Sequence, residues 1–197
     1  MHMDPLVFRD RASTPQSEPG LAIAKTRQLV LYTDAFVVHG ALQTLARRLS
    51  DALNADGEPF LVLEDVTFEE HRTGRLFERA AYAQVNLSTV LFAYELGDQL
   101  STPFELRTIK VPQPAMISLP PFRLVGDIHL LPERHLRDAL QELLGRFVPL
   151  TAATFWSEPL GIARTSVSMI AFNHARSQIL VPYGGDPGPP DGAPAAR

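Results

Sequence analysis

The stretch LSDALNADGEPFLVLEDVTF, residues 49–68, returns 87 residues later as LRDALQELLGRFVPLTAATF, residues 136–155. Eight of the twenty aligned positions are identical, far more than composition alone would produce. An offset one residue shorter places Gly40 on Gly126, which indicates a single inserted residue before the repeated helix. Self-similarity at a fixed period is typical of a repeated structural unit. The sequence therefore predicts a tandem duplication.

Each copy shows the pattern of two strands, a helix and two further strands. Runs of β-branched and aromatic residues between turn signals predict the strands, and apolar residues at helical spacing predict the helix. In the second copy, a proline at the start and a glycine at the end mark the helix boundaries. The predicted strands are 28–32, 36–44, 60–69 and 82–94 in the first copy and 115–118, 122–130, 147–155 and 167–181 in the second, with helices at 45–54 and 132–145. The last strand is expected to be interrupted near Asn173.

These elements predict an α+β fold, mainly antiparallel β, in which two tandem ββαββ-type repeats pack with pseudo-twofold symmetry. Pairing the copies would bury the apolar face that a single small sheet leaves open. The predicted segments are a disordered tail at 1–26, repeat 1 at 27–98, a proline-containing connector at 99–114, repeat 2 at 115–183 and a disordered Pro/Gly-rich tail at 184–197.

Composition excludes several classes of function. The chain of 197 residues has no cysteine, a net charge of -4 and a pI near 5.8. Without cysteine it can form neither disulfides nor thiolate metal sites, which suits a reducing compartment, and the acidic balance argues against a nucleic-acid partner. No apolar run is long enough for a membrane span, and no export signal is visible. We expect a cytoplasmic protein with no cofactor.

Four charged residues are the candidates for ligand binding. Asp51 and Asp138 occupy matching helix positions that face away from the core leucines, so a cleft between the copies could hold both carboxylates. The alternative is that each is a helix-surface residue that bonds a neighbouring loop backbone or marks the contact between the copies. Neither lies near a base, nucleophile or metal ligand in the pattern, so the sequence predicts no catalytic residue. The six histidines show no metal-binding spacing, and we predict no metal site.

Arg75 and Arg79 complete the candidates. With Asn86 and Ser88 they resemble the RxxxR and [D/N]xSxxG elements of PilZ domains, which implies a cyclic-dinucleotide site. The chain departs from that pattern in its short spacing and in Leu91, which stands where the glycine belongs. Asn86 and its counterpart Asn173 lie between apolar strand residues, where an amide can satisfy the backbone of a turn.

The helix RLSDALN, residues 48–54, together with the flanking strands, resembles a family of small uncharacterised bacterial domains. These domains carry a glycine-containing hairpin, an RLSDxLN-type helix and a strand that ends in a Thr-aromatic pair. The resemblance implies a bacterial β-rich module present in two copies, and it implies no activity.

The sequence thus favours a non-enzymatic protein-binding or self-assembly module, with a homo-oligomer or a protein partner. The alternative is a small-ligand-binding regulatory or sensor domain with its site between the two repeats, and an enzyme is the third interpretation. A scaffold requires an exposed sheet edge, whereas a sensor requires a concave pocket with convergent polar groups.

Overall fold

The computed structural model describes residues 24–55, 58–77, 79–97, 110–132 and 145–184. Within them the chain forms ten strands, one short α-helix and one 3-10 helix at His174–Arg176. The elements in chain order are β1 (Lys25–Thr33), β2 (Phe36–Thr44), α1 (Leu49–Leu53), β3 (Phe60–Glu70), β4 (Ala80–Asn86), β5 (Val90–Glu95), β6 (Val111–Leu119), β7 (Phe122–Leu130), β8 (Phe147–Ser157), β9 (Ile162–Asn173) and β10 (Ile179–Pro182).

All ten strands belong to one antiparallel sheet in the order β10-β6-β7-β8-β9-β5-β1-β2-β3-β4. We call β5-β1-β2-β3-β4 the first half-sheet and β10-β6-β7-β8-β9 the second half-sheet. The predicted class, mainly antiparallel β with a minor helical part, is confirmed. The two half-sheets meet where β5 pairs with β9.

Strand registers recur between the half-sheets. Facing residue pairs in the first hairpin of the first half-sheet recur 86 residues later in the second half-sheet. Facing pairs in the later hairpins recur 87 residues later. The corresponding pairs are Leu31 with Val38 and Ile117 with Leu124, then Phe60 with Asn86 and Phe147 with Asn173.

A register shift interrupts the pairing of β2 with β3 at Gly40 and that of β7 with β8 at Gly126. The facing strands carry the positive-φ residues Asp65 (φ 51) and Ala152 (φ 47). At Gly126 the strands approach so closely that a Cβ would lie 2.7 Å from the carbonyl oxygen of Thr151. Glycine is therefore required there by space, which is a usual reason for glycine inside a strand.

Two apolar cores lie along the sheet. One is formed mainly by the second half-sheet and contains Phe122 and Phe155. The other is formed by α1 and the first half-sheet, and it also includes Phe147 from β8 and Ala171 from β9. The second half-sheet therefore contributes side chains to the core of the first.

Two predicted strands are each divided in the structure. The predicted strand 82–94 consists of β4 and β5, separated by a turn at residues 87–89, and the predicted strand 167–181 consists of β9 and β10, separated by the 3-10 helix. Each half-sheet thus has five strands, where the predicted ββαββ pattern has four. Asparagine ends the earlier strand in both cases, at Asn86 and at Asn173.

Other strand and helix boundaries also differ from the predicted ones. β1 begins at Lys25, inside the predicted tail, and β6 begins at Val111, inside the predicted connector. The strand tolerates Pro112 because β10 pairs only with residues 115–118 of β6, which leaves Pro112 with a strand on one side alone. Pro114 lies just past the end of β10, where its carbonyl oxygen still accepts a hydrogen bond from the Tyr183 amide. Helix α1 is shorter than predicted and leaves Leu45 exposed. The predicted second helix lies outside the described residues.

The close strand approach at Gly126 can be tested by substitution. We expect Gly126→Ala to lower the free energy of unfolding by about 1–3 kcal/mol, because the added methyl group meets backbone that cannot move aside. Chemical denaturation measures this. Gly184→Ala is the control, since no atom lies within 4 Å of its added Cβ. Equal denaturation midpoints for the two variants would contradict the packing argument.

Candidate functional site

Three of the four predicted ligand residues lie in the described structure, and they belong to two different segments of the first half-sheet. Asp51 is exposed on α1, whereas Arg75 and Arg79 are exposed in the connection between β3 and β4. Arg79 forms an ion pair with Asp65 at 3.0 Å, in which both side chains are largely exposed, and such pairs contribute little stability. Asp138 lies outside the described residues.

Arg75 is held by its own loop. Its guanidinium carbon lies 5.5 Å from the ring centre of Phe77, and its carbonyl oxygen accepts a hydrogen bond from the Glu70 amide. Phe77 in turn stacks on Phe68 at 5.1 Å. The arginine therefore covers an aromatic pair, and this local packing accounts for its position without a ligand.

The most constrained region is the junction between the half-sheets. There Phe92 faces Phe172 and Ala93 faces Ala171, and all four side chains are fully buried. The backbone ladder between β5 and β9 contains only these two residue pairs. Because so short a ladder is a weak connection by itself, the polar contacts around it matter more than in the other strand pairs.

Asn173 forms the first of these contacts. Its side-chain amide, almost fully buried, donates to the carbonyl oxygens of Val90 at 2.9 Å and Leu87 at 3.3 Å. These two carbonyls flank the turn that leads into β5, so a residue of the second half-sheet holds a turn of the first. Asn86 forms only a local turn, in which its Oδ1 accepts from the amide and hydroxyl of Ser88. The prediction that both asparagines satisfy turn backbone is confirmed.

Asn54, at the C-terminus of α1, forms the second contact. Its Nδ2 donates to the carbonyl oxygen of Phe147, and its Oδ1 accepts from the Phe147 amide, both at 2.8 Å. A side-chain amide thus pairs with β8 as a neighbouring strand would. This contact places α1 against the second half-sheet and covers the Phe147 ring, which is buried.

Arg176, in the 3-10 helix, forms the third contact. Its guanidinium donates to the Ser88 carbonyl oxygen at 3.0 Å and to the Asp34 carboxylate. Ser88 and Asp34 lie in two adjacent turns of the first half-sheet, whose backbones also bond where the Asp34 amide donates to the Thr89 carbonyl. One exposed cation therefore connects the second half-sheet to both turns.

Beside the junction lies an aromatic cluster centred on Tyr32. Its ring stacks on Phe92 at 4.5 Å and meets Phe122 and Phe155 edge to face at 5.2 Å each. Burial raises the pKa of Tyr32 well above its ordinary value, and the neighbouring Tyr94 raises it further. The cluster joins rings from both half-sheets and includes His71, whose ring stacks on Tyr32 at 5.7 Å and meets Phe122 edge to face at 5.5 Å.

A shallow depression of about 280 Å³ lies where the end of α1 meets the start of β8. Its polar lining comes from Asn54, Glu58 and Arg146. The Asn54 amide is already bonded on both of its polar atoms to Phe147, so it has little to offer a ligand. Within the described residues, no group of three acidic, histidine or cysteine side chains is placed to hold a metal ion.

The contacts of the three junction residues were not predicted from the sequence, for different reasons. Asn173 was singled out by its repeat position, although not as a contact between half-sheets. Asn54 is marked in the sequence only as the last residue of the predicted helix 45–54, and Arg176 has no local signal because its partners are 88 and 142 residues away.

Comparison with known proteins adds no relative: no family model, curated protein or solved structure matches the chain. Among the helices that the structure describes, none is long and apolar enough to span a membrane.

The contribution of Asn173 can be measured directly. We expect Asn173→Ala to lower the free energy of unfolding by about 1–3 kcal/mol, because two carbonyls at a buried junction lose their donor. Thr165→Ala on the same strand is the control: the Thr165 hydroxyl is exposed and bonds only the Ala163 carbonyl, so its loss should stay within about 0.5 kcal/mol. Similar losses of unfolding free energy in the two variants would contradict a stabilising role for Asn173 at the junction.

The buried phenol of Tyr32 makes stability depend on alkaline pH. Since its folded pKa lies above the ordinary value of 10.0, the unfolded chain releases this proton first, and stability falls as the pH rises past about 10. Tyr32→Phe should flatten that fall in urea denaturation curves taken across this range. Tyr82→Phe, which alters an exposed ring, should follow the unmodified protein. A Tyr32→Phe profile as steep as that of the unmodified protein would contradict this assignment.

Proposed function

We propose that the chain consists of two copies of one five-stranded module and that it acts as a non-enzymatic self-assembly or protein-binding module, which docks through sheet edges. One observation carries the proposal. The two half-sheets associate by pairing the outer strands β5 and β9, and each half-sheet leaves its other outer strand, β4 or β10, without a strand partner among the described residues.

The duplication is supported by more than sequence identity. The strand order within each half-sheet is the same, the pairing registers recur at 86 or 87 residues, and a glycine marks the register shift at Gly40 and Gly126. Positive φ values recur at Asp65 and Ala152, 87 residues apart. Unrelated segments would have no reason to share all of these features.

The composition of the outer strands supports docking. The β4 sequence, AAYAQVN, contains no charged residue and no proline, and β10, ILVP, has only a terminal proline. Sheet edges in proteins that remain monomeric are usually protected by lysine, proline, a bulge or a covering loop. The residues of β4 carry no lysine or proline, so this edge is suited to pairing with another strand, whereas β10 is short and keeps backbone donors only at Ile179, Leu180 and Val181.

The non-enzymatic part of the proposal rests on the chemistry of the junction. The polar groups of Asn54 and the amide nitrogen of Asn173 are bonded to backbone, and Arg176 is held by a carboxylate and a carbonyl. These contacts hold protein surfaces together. They place no nucleophile beside a base, which is the minimum arrangement that covalent catalysis requires.

Native mass spectrometry on protein purified gently from the organism that encodes it tests this function. We expect a species that contains several chains, or this chain with a protein partner, because unprotected strand edges should be occupied in the working state. A bare monomer would contradict the proposal. A monomer that carries a reproducible small mass would also contradict it and would favour a ligand-binding regulatory role at the depression beside Asn54.

A further inference from the structure

We propose that copies of this chain assemble head to tail, with β4 of one copy paired to β10 of the next in the register that joins β9 to β5 within the chain. The inference rests on the proposed function and specifies its partner as a second copy. If the half-sheets are equivalent, the internal junction is a template for the contact between chains.

The register of this contact follows from the strand pairs. In the first half-sheet Ala93 of β5 faces Leu31, and in the second Leu180 of β10 faces Ile117. Leu180 is therefore the counterpart of Ala93, and Ile179 that of Phe92.

On the other side of the junction, counterpart residues are 87 positions apart, because Phe147 faces Asn173 as Phe60 faces Asn86. Gln84 is therefore the counterpart of Ala171, and Val85 is the counterpart of Phe172. The internal pairs Phe92–Phe172 and Ala93–Ala171 thus predict Ile179 facing Val85 and Leu180 facing Gln84 between chains.

Burial differs between counterpart residues in the way that this contact requires. Phe147 is 1% exposed because the first half-sheet covers it, whereas its counterpart Phe60 is 42% exposed. Val62 and Tyr82 lie on the same side of the sheet as Phe60, at 57% and 74% exposure. The outer end of the first half-sheet therefore presents an apolar strip at the position where the second half-sheet is covered.

The opposite edge shows the complementary difference. Phe92 in β5 is fully buried by the internal junction, and its counterpart Ile179 in β10 is 57% exposed. Pro182, which cannot donate a backbone hydrogen bond, corresponds to Glu95, and Glu95 lies outside the two residue pairs of the internal junction. The proline therefore does not obstruct the proposed pairing.

Asn86 is placed to repeat the role of Asn173. Its Oδ1 is turned toward Ser88, and within the described residues its amide nitrogen donates to no group. In Asn173 that nitrogen is the donor that holds the turn before β5. In the assembly, the Asn86 nitrogen would meet the backbone of the 3-10 segment before β10 of the next copy.

The two surfaces in this contact differ, so the association is heterologous. Such contacts produce a ring when the rotation between subunits closes and a filament when it does not. In either assembly every β4 edge and every β10 edge is covered, apart from those at the ends of a filament.

Cysteine cross-linking between chains tests the register, since the natural chain has no cysteine. A tagged Gln84→Cys variant is mixed with Leu180→Cys protein, exchanged and oxidised. We expect a disulfide-linked heterodimer with the 84–180 bond identified by mass spectrometry. Ala81→Cys replaces Gln84→Cys in the control, three residues out of register on the same strand, and should give a yield roughly tenfold lower because its Cα lies beyond disulfide reach.

A charge at the edge tests the contact independently. Ile179→Lys should reduce the subunit number to one chain in sedimentation analysis, while its circular dichroism spectrum stays that of the unmodified protein because the replaced side chain is mostly exposed. Leu45→Lys, at a comparably exposed leucine away from both outer strands, should leave the subunit number unchanged.

The outcomes separate this inference from the proposed function. An assembly that persists in Ile179→Lys and yields no 84–180 bond overturns the β4–β10 pairing and leaves self-assembly standing. A single unmodified chain bound to a different protein overturns self-assembly and leaves protein binding standing. A chain that is single and has no protein partner at its working concentration overturns both.

Discussion

The pairing of β5 with β9 is the contact on which the rest of the structure depends. It consists of two residue pairs, yet it turns two five-stranded units into one ten-stranded sheet. Backbone pairing by itself would be weak over so short a length, and burial of Phe92 and Phe172 supplies the apolar part of the contact. The side chains of Asn54, Asn173 and Arg176 then fix the turns and the helix end on either side, so the junction resists sliding as well as separation.

These polar contacts also explain the position of α1. A helix of five residues has little stability of its own, because nucleation is unfavourable and few hydrogen bonds repay it. Leu49 and Leu53 pack its apolar face into the core of the first half-sheet, and Asn54 bonds the end of the helix to the backbone of Phe147. The helix thus exists because of tertiary packing on both sides.

Much of the fold could be predicted from the sequence. Strands 36–44 and 122–130 have the predicted bounds because alternation and turn residues are local signals. The split at residues 87–89 was missed because Asn86, Ser88 and Thr89 close a turn inside a run with strong strand character. The strand β6 was predicted to begin later because the effect of Pro112 depends on whether a neighbour lies on its other side, which is a property of the whole sheet.

The junction was much harder to predict than the strands. Asp51 and Arg79 are predicted as ligand residues because they are charged and have no packing role, but both lie exposed on the surface of the structure. The contacts that join the half-sheets come from an amide at a helix end and an arginine in a short 3-10 turn, and their partners are distant in sequence. No local period records such contacts, because they depend on how two finished units meet.

Phe147 belongs to the second half-sheet but lies in the core of the first, and this has a consequence for how the chain can change over evolutionary time. Phe147 and Phe60 occupy matching positions, but one ring fills a core and the other is partly open to solvent. A polar substitution that Phe60 can accept in a single chain would therefore destabilise the fold at Phe147, so the two matching positions are under different constraints. A chain divided between β5 and β6 would leave the first half without Phe147 and Ala171. Each of the two cores contains side chains from both half-sheets, so both cores are complete only when the half-sheets belong to one chain.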